Sequence, residues 1–248
     1  MGGKLSSDRN VKAMSEEGKA ESAKGKLGNV LCYGDSLTAG YSKMGSEFTA
    51  YAEVLRETLK CEADAIGLCG LTTLQMNDQK GWASFDDVCA REGMGLLPAL
   101  DQKDYDVLCL LGGTNDLGRG YKGEMILSNL KDLVDAALQK MSPKGQVVVM
   151  TVIGMGAELS MKKFAKNRQD LNEGIKTLEG YGDGRVHVFD LASHFPPLDW
   201  QNVEQRNAEG EKWDSDALHL SKEGYLHVGR LVCDELEKIF NVKQTEDE

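Results

Sequence analysis

Five short apolar runs, separated by longer stretches of helical period, constrain this chain more than any other feature. The runs are NVLCYGD (29–35), EADAIGL (62–68), YDVLCLLGG (105–113), QVVVMTVIG (146–154) and RVHVFDL (185–191). Each is bounded by Gly, Asp or Asn, and mostly β-branched or aliphatic within. Hydrophobicity that is continuous rather than alternating fits strands covered on both faces, as in a parallel sheet. Helical spacing fills the gaps. Residues 47–60 place Phe48, Tyr51, Leu55 and Leu59 on one face. Residues 123–141 do so with Met125, Leu127, Leu130, Leu133, Val134 and Leu138, and residues 158–180 form a longer, more polar segment. Ser221 caps a last helix whose apolar face is Tyr225, Val228, Val232, Leu236 and Ile239. Strand and helix in alternation predict the α/β class: a three-layer α/β/α sandwich on a five-stranded parallel sheet, flavodoxin-like, with order 2-1-3-4-5.

The chain has 248 residues, which suits one such domain, placed here at 28–240. Residues 1–27 hold six basic and four acidic residues and no aromatic, and are expected to be a disordered leader. Residues 241–248, NVKQTEDE, are expected to be a frayed acidic tail. Net charge is −11, which disfavours nucleic acid as a partner. No run of apolar residues is long enough to span a bilayer, and the N-terminus lacks a signal peptide's apolar core. The six cysteines form no CxxC pair and no zinc spacing, so no metal is expected. Reduced thiols and a cytoplasmic location are expected instead.

Ligands of open parallel sheets bind beyond the carboxyl ends of the strands. The first run leads into Gly34-Asp35-Ser36-Leu37-Thr38, the second into Gly67-Leu68-Cys69-Gly70, and the third into Gly112-Gly113-Thr114-Asn115-Asp116. A long loop after the fifth leads to Asp216-Ala217-Leu218-His219 and the last helix. Taken singly, Ser36 is an ordinary cap, Gly70 and Asn115 are ordinary turn residues, and Asp216 and His219 are an ordinary surface pair. Together they supply a hydroxyl, a base, an orienting acid and oxyanion donors on one edge. His219 can take the Ser36 proton while Asp216 fixes its tautomer. The N–H groups of Ser36 and Gly70 and the Asn115 amide can face an oxyanion, and glycine at 70 allows close approach. No GxSxG elbow occurs, which disfavours the α/β-hydrolase fold.

GDSL at 34–37, G-x-x-G at 67–70, GTND at 113–116 and DxxH at 216–219 resemble the four blocks of the GDSL/SGNH hydrolase family. The resemblance spans about residues 29–240. VLCYGDSLTAGY, GLCGLTT and DALHL are most similar to its arylesterase and acyltransferase-like branch. It implies Ser36 as nucleophile, His219 with Asp216 as base, Ser36, Gly70 and Asn115 as the oxyanion hole, and no metal or organic cofactor. The expected activity is hydrolysis of a small-molecule ester through an acyl-enzyme. Short acyl, aryl, sugar-acetyl and lysophospholipid esters all suit the chemistry. Acyl transfer or thioester cleavage by the same residues, and a non-catalytic binding module on the same fold, are the competing readings. A nucleotide-binding flavodoxin-like protein is disfavoured, because no GxGxxG or Gly-rich Lys loop follows the first strand.

Leu37, Leu71, Ile153 and Trp213 are the candidate substrate-pocket residues, and the 192–215 loop, with Trp200, Trp213 and Pro196-Pro197, is expected to line the acyl or alcohol site. Cys69 reads as a small packing residue; His187, His194 and His227 read as structural. Met1-Gly2-Gly3-Lys4-Leu5-Ser6 fits the N-myristoylation pattern at Gly2. One acyl chain gives only marginal membrane affinity. The rest of the chain, at about −13, repels an anionic leaflet, so reversible association at most is expected.

Overall fold

The computed structural model describes residues 27–240. The expected leader with Gly2, and the tail at 241–248, lie outside the described residues, except that Leu27 is buried in the core. Five strands form one parallel sheet: β1 (Asn29–Gly34), β2 (Ala63–Gly67), β3 (Tyr105–Leu111), β4 (Gln146–Met150) and β5 (Val186–Phe189). Their order is β2-β1-β3-β4-β5, all neighbours parallel, which is the order expected from the sequence.

Alternate residues of each strand enter opposite cores, the period-2 consequence of the pleat. Val30 and Cys32 of β1, Val107 and Cys109 of β3, and Val148 of β4 face one core. There they meet helices α2 (Ala52–Leu59) and α8 (Lys222–Phe240) through Leu55, Leu59, Tyr225, Val228 and Val232. Leu31, Tyr33, Leu108, Leu110, Val147 and Val149 face the other. That core is closed by α3 (Thr73–Asp78), α4 (Leu96–Leu100), α6 (Gly123–Lys140) and α7 (Lys162–Lys176). Two one-turn elements, α1 (Ser36–Ala39) and α5 (Thr114–Gly118), follow β1 and β3 directly.

Two helix expectations change. The apolar spacing at 47–60 becomes helix only over Ala52–Leu59. Phe48 instead pairs with Tyr41 in a short antiparallel ribbon, where the two rings meet edge to face at 5.8 Å. The helix expected over 158–180 forms only at Lys162–Lys176, because Gly156–Leu159 is wound as a 3₁₀ turn. Met125, placed on the buried stripe of α6 by spacing, is exposed. Ser221 does cap α8, its hydroxyl accepting the Gly224 N–H at 3.1 Å.

Leu110 sits fully buried in the central strand. Leu110→Ala is expected to cost about 2–5 kcal/mol in urea unfolding, through lost transfer energy plus a cavity. A loss below about 1 kcal/mol would mean that the sheet is not the packed centre of the fold.

Candidate active site

The carboxyl ends of β1, β2 and β3 meet the loop before α8. Ser36 opens α1, whose N-terminal cap is Asp35: its Oδ1 accepts the Leu37 N–H at 3.0 Å. Only glycine fits at 34, since a Cβ there would lie 2.1 Å from the Leu111 carbonyl oxygen. Ser36 Oγ is 2.9 Å from His219 Nε2, and His219 Nδ1 is 2.7 Å from Asp216 Oδ2. Asp216 also accepts the backbone N–H groups of Leu218 and His219 at 2.9 and 2.8 Å. Partial burial alone would raise the Asp216 carboxyl; the His219 ring and these N–H groups outweigh it and hold it at about 2. Between them Ala217 takes φ +52°, a strained conformation for alanine that turns acid and imidazole toward each other. The Tyr41 ring packs on the imidazole, with centroids 4.4 Å apart.

Gly70 and Asn115 follow β2 and β3, the two strands that flank β1. Gly70 has φ +75°, and a Cβ there would meet the Val88 side chain at 2.5 Å. Its N–H donates to no acceptor among the described residues, and the Ser36 N–H lies at the first helical position, where no intrahelical carbonyl takes it. Asn115 Nδ2 donates one hydrogen to the Leu71 carbonyl at 3.0 Å, leaving its second free. Arg119 Nη2 donates to the Gly70 carbonyl, in the following peptide, at 3.1 Å. Asp116 accepts the Thr73 N–H and hydroxyl at 2.9 and 2.7 Å, and ties the loop after β3 to α3.

A cavity of about 400 Å³ abuts the site at Asn115 and Asp216. Its apolar wall is Met155, Ala157, Phe164 and Leu218, with Arg119 at its edge. The expected pocket residues Leu37, Leu71, Ile153 and Trp213 are buried in the two cores and are not among the residues that line this cavity. The 192–215 loop does not line it either. Phe195, Leu198 and Trp213 of that loop are buried, and Phe195 meets Trp213 edge to face at 6.2 Å. Cys69 is buried beside Arg91, and burial pushes its thiol up to about 12, which suits packing and not reactivity. His187, His194 and His227 contact Gln146, Phe189 and Phe195, away from the Ser36–His219 pair. No group of His, Cys, Asp and Glu able to hold a metal occurs among the described residues.

The sequence reading overlooked Asp35 and Asp87. Asp87 is buried; it accepts the N–H groups of Cys89 and Arg91 through Oδ1 and that of Cys69 through Oδ2, which fixes the loop flanking Gly70. Asp35 is fully buried, and its Oδ2 makes no hydrogen bond. Burial raises its carboxyl to about 6 from 3.8, against the opposing pull of the Leu37 N–H and of His219. The folded chain therefore keeps this proton between about pH 4 and 6, where the unfolded chain has lost it. The stability that it supplies is present at the acid end and lost as pH rises through 6. Asp35→Asn preserves the cap acceptor and removes the titration. The variant should gain on the wild type by on the order of 1–3 kcal/mol between pH 4 and 7, read from urea midpoints. A difference independent of pH would show an ordinary carboxyl.

The family model described as the GDSL-like lipase/acylhydrolase family matches residues 32–226. No curated protein sequence matches this chain. Among solved structures, a lipase/acylhydrolase from Enterococcus faecalis aligns with TM-score 0.56 at 16% identity, covering 89% of this chain and 100% of its own. A G-D-S-L lipolytic protein from Veillonella parvula aligns with TM-score 0.57 at 15% identity, over 87% of this chain and 99% of its own. A psychrotrophic esterase from a Pseudoalteromonas species, solved inhibited by monoethylphosphonate, aligns with TM-score 0.57 at 15% identity, over 86% and 98%. These likenesses carry the fold, and the family match over most of the chain carries membership: the chain is an ester hydrolase belonging to the GDSL-like lipase/acylhydrolase family.

Proposed function

We propose that this chain is a serine esterase working through an acyl-enzyme, with Ser36 as nucleophile. The observation that carries the reading is the unbroken chain from Asp216 through His219 to Ser36, at 2.7 and 2.9 Å. Ser36 Oγ attacks the ester carbonyl carbon and its proton passes to His219 Nε2. Asp216 holds the Nδ1 proton and stabilises the imidazolium that forms. The carbonyl oxygen becomes an oxyanion facing the N–H groups of Ser36 and Gly70 and the free amide hydrogen of Asn115. The tetrahedral adduct collapses, His219 gives its proton to the leaving alkoxide, and the acyl group stays on Ser36. Water, deprotonated by the same imidazole, then releases the acid and restores Ser36.

The cavity supports an acyl or alcohol group of modest size with an apolar body, packed on Met155, Ala157, Phe164 and Leu218. Asn115 and Arg119 each brace a carbonyl of the Gly70–Leu71 segment, so the donors are in place before substrate arrives.

Turnover of p-nitrophenyl esters from acetate to palmitate tests the reading. Ser36→Ala is expected to leave only residual activity, and Asn115→Ala to lower kcat about 10²–10³-fold with little change in KM. Full activity in Ser36→Ala would sink the mechanism. We also propose acylation of Gly2 in a eukaryotic host; an intact mass lacking the acyl increment there would refute it.

A further inference from the structure

Next to the cavity-lining segment at 157–164 the surface carries a second feature. Leu159, Met161 and Met125, 56%, 54% and 51% exposed, are three of the nine exposed large apolar side chains among the described residues. They sit with four exposed cations: Arg119 and Lys122 between α5 and α6, and Lys162 and Lys163 at the start of α7. The grouping is fixed by the fold. Ala157, Phe164 and Arg119 all line the cavity, which brings the 157–164 segment beside the end of α5. The start of α6 packs on α7 so closely that a Cβ on Gly123 would meet the Asn167 carbonyl at 2.9 Å. Asn167 Nδ2 also donates to the Tyr121 carbonyl at 3.3 Å.

Charge on this face departs from the charge of the chain. Lys131, Lys140, Lys166, Arg168 and Lys176, on the same helices, each pair with a carboxylate. Arg119, Lys122, Lys162 and Lys163 form no ion pair among the described residues. Glu124 is the exposed acid nearest to them in sequence, and the exposed Asp216, which shares the cavity lining with Arg119, is bonded to His219. Exposed apolar side chains beside unpaired cations suit a surface that presents phosphate or carboxylate groups above hydrocarbon.

We propose that this face docks on an anionic lipid surface, with Leu159, Met161 and Met125 entering the headgroup region and the four cations meeting lipid phosphates. Docking would set the cavity mouth against the membrane, so that a membrane-resident ester enters without crossing water. That delivery role rests on the ester-hydrolase reading, whereas binding is measured without turnover.

The full chain, prepared in bacteria and so without an acyl group on Gly2, is floated with vesicles of phosphatidylcholine alone or mixed with phosphatidylserine. It is expected to bind the mixed vesicles at low salt and to release at high salt. Lys162→Glu with Lys163→Glu is expected to lower that binding about tenfold or more, and Leu159→Ser with Met161→Ser to lower it comparably. Turnover of a soluble short-chain ester is expected to stay unchanged in both variants. No binding to mixed vesicles at low salt overturns the proposal, and so does equal binding by wild type and the Lys162/Lys163 variant, which would assign it to another part of the chain. Ser36→Ala separates the readings: unaltered ester turnover in it sinks the hydrolase mechanism, while its vesicle binding reports on the face alone.

Discussion

Burial of both faces of a five-stranded parallel sheet governs the rest of this molecule. Parallel neighbours cannot be joined by tight hairpins, so each connection leaves at the carboxyl edge and returns along a helix. Leu31 and Tyr33 point to one core while Val30 and Cys32 point to the other, so helices must cover both sides. The chain is then forced to expose its strand-to-helix turns on one edge. Ser36, Gly70 and Asn115, from three segments, all stand on that edge because of that topology and not because of attraction among them.

What holds those turns still is a set of buried acids. Asp35 takes an N–H of α1, Asp87 takes N–H groups on both sides of the Gly70 loop, and Asp116 takes two groups of Thr73. Glu158, also buried, takes the Met155 N–H at 2.9 Å and the Arg168 guanidinium, which ties the cavity wall to α7. A buried carboxylate is costly unless its oxygens are filled with donors. Backbone N–H groups of loops are donors that also need partners. Pairing the two satisfies both and removes loop freedom, which is what an electrostatic site needs before substrate arrives. Asp35 is the exception, with one oxygen unfilled, and it is the group whose proton is held most tightly against its ordinary value near Ser36.

The parts legible in the sequence are those that local pattern decides. Continuous apolar runs identify strands covered on both faces, and the residues following them identify the site edge. The parts that were not legible depend on contacts between distant segments. Leu37, Leu71 and Ile153 lie beside or near site residues in the chain, but position in sequence does not say which way a side chain points, and all three point into the cores. The cavity wall at Met155 begins just after the fourth apolar run, at Gly154, whose missing Cβ lets the backbone of Pro197 approach to 2.2 Å of where it would be. Asp87 reaches Cys69 across 18 positions, and Asn172 takes the Val152 N–H across 20. Neither spacing has a periodicity to reveal it. Phe48 fits a helical stripe and a ribbon equally well; its ring contact with Tyr41, and through Tyr41 the packing on His219, is what the ribbon secures.

Net charge illustrates the same limit. A chain at −11 looks repelled by an acidic surface, and as a whole it is. Screening at physiological salt confines each exposed charge to about 8 Å. A surface therefore interacts with the charges on the face that meets it and hardly with those behind. Arg119, Lys122, Lys162 and Lys163 lie where the segment between α5 and α6 meets α7, whereas the carboxylates of Asp101, Asp135, Asp170 and Glu173 are already engaged with lysines elsewhere on the helices. Composition sums all of these into one number. The fold sorts them, and what the protein can approach follows from the sorting.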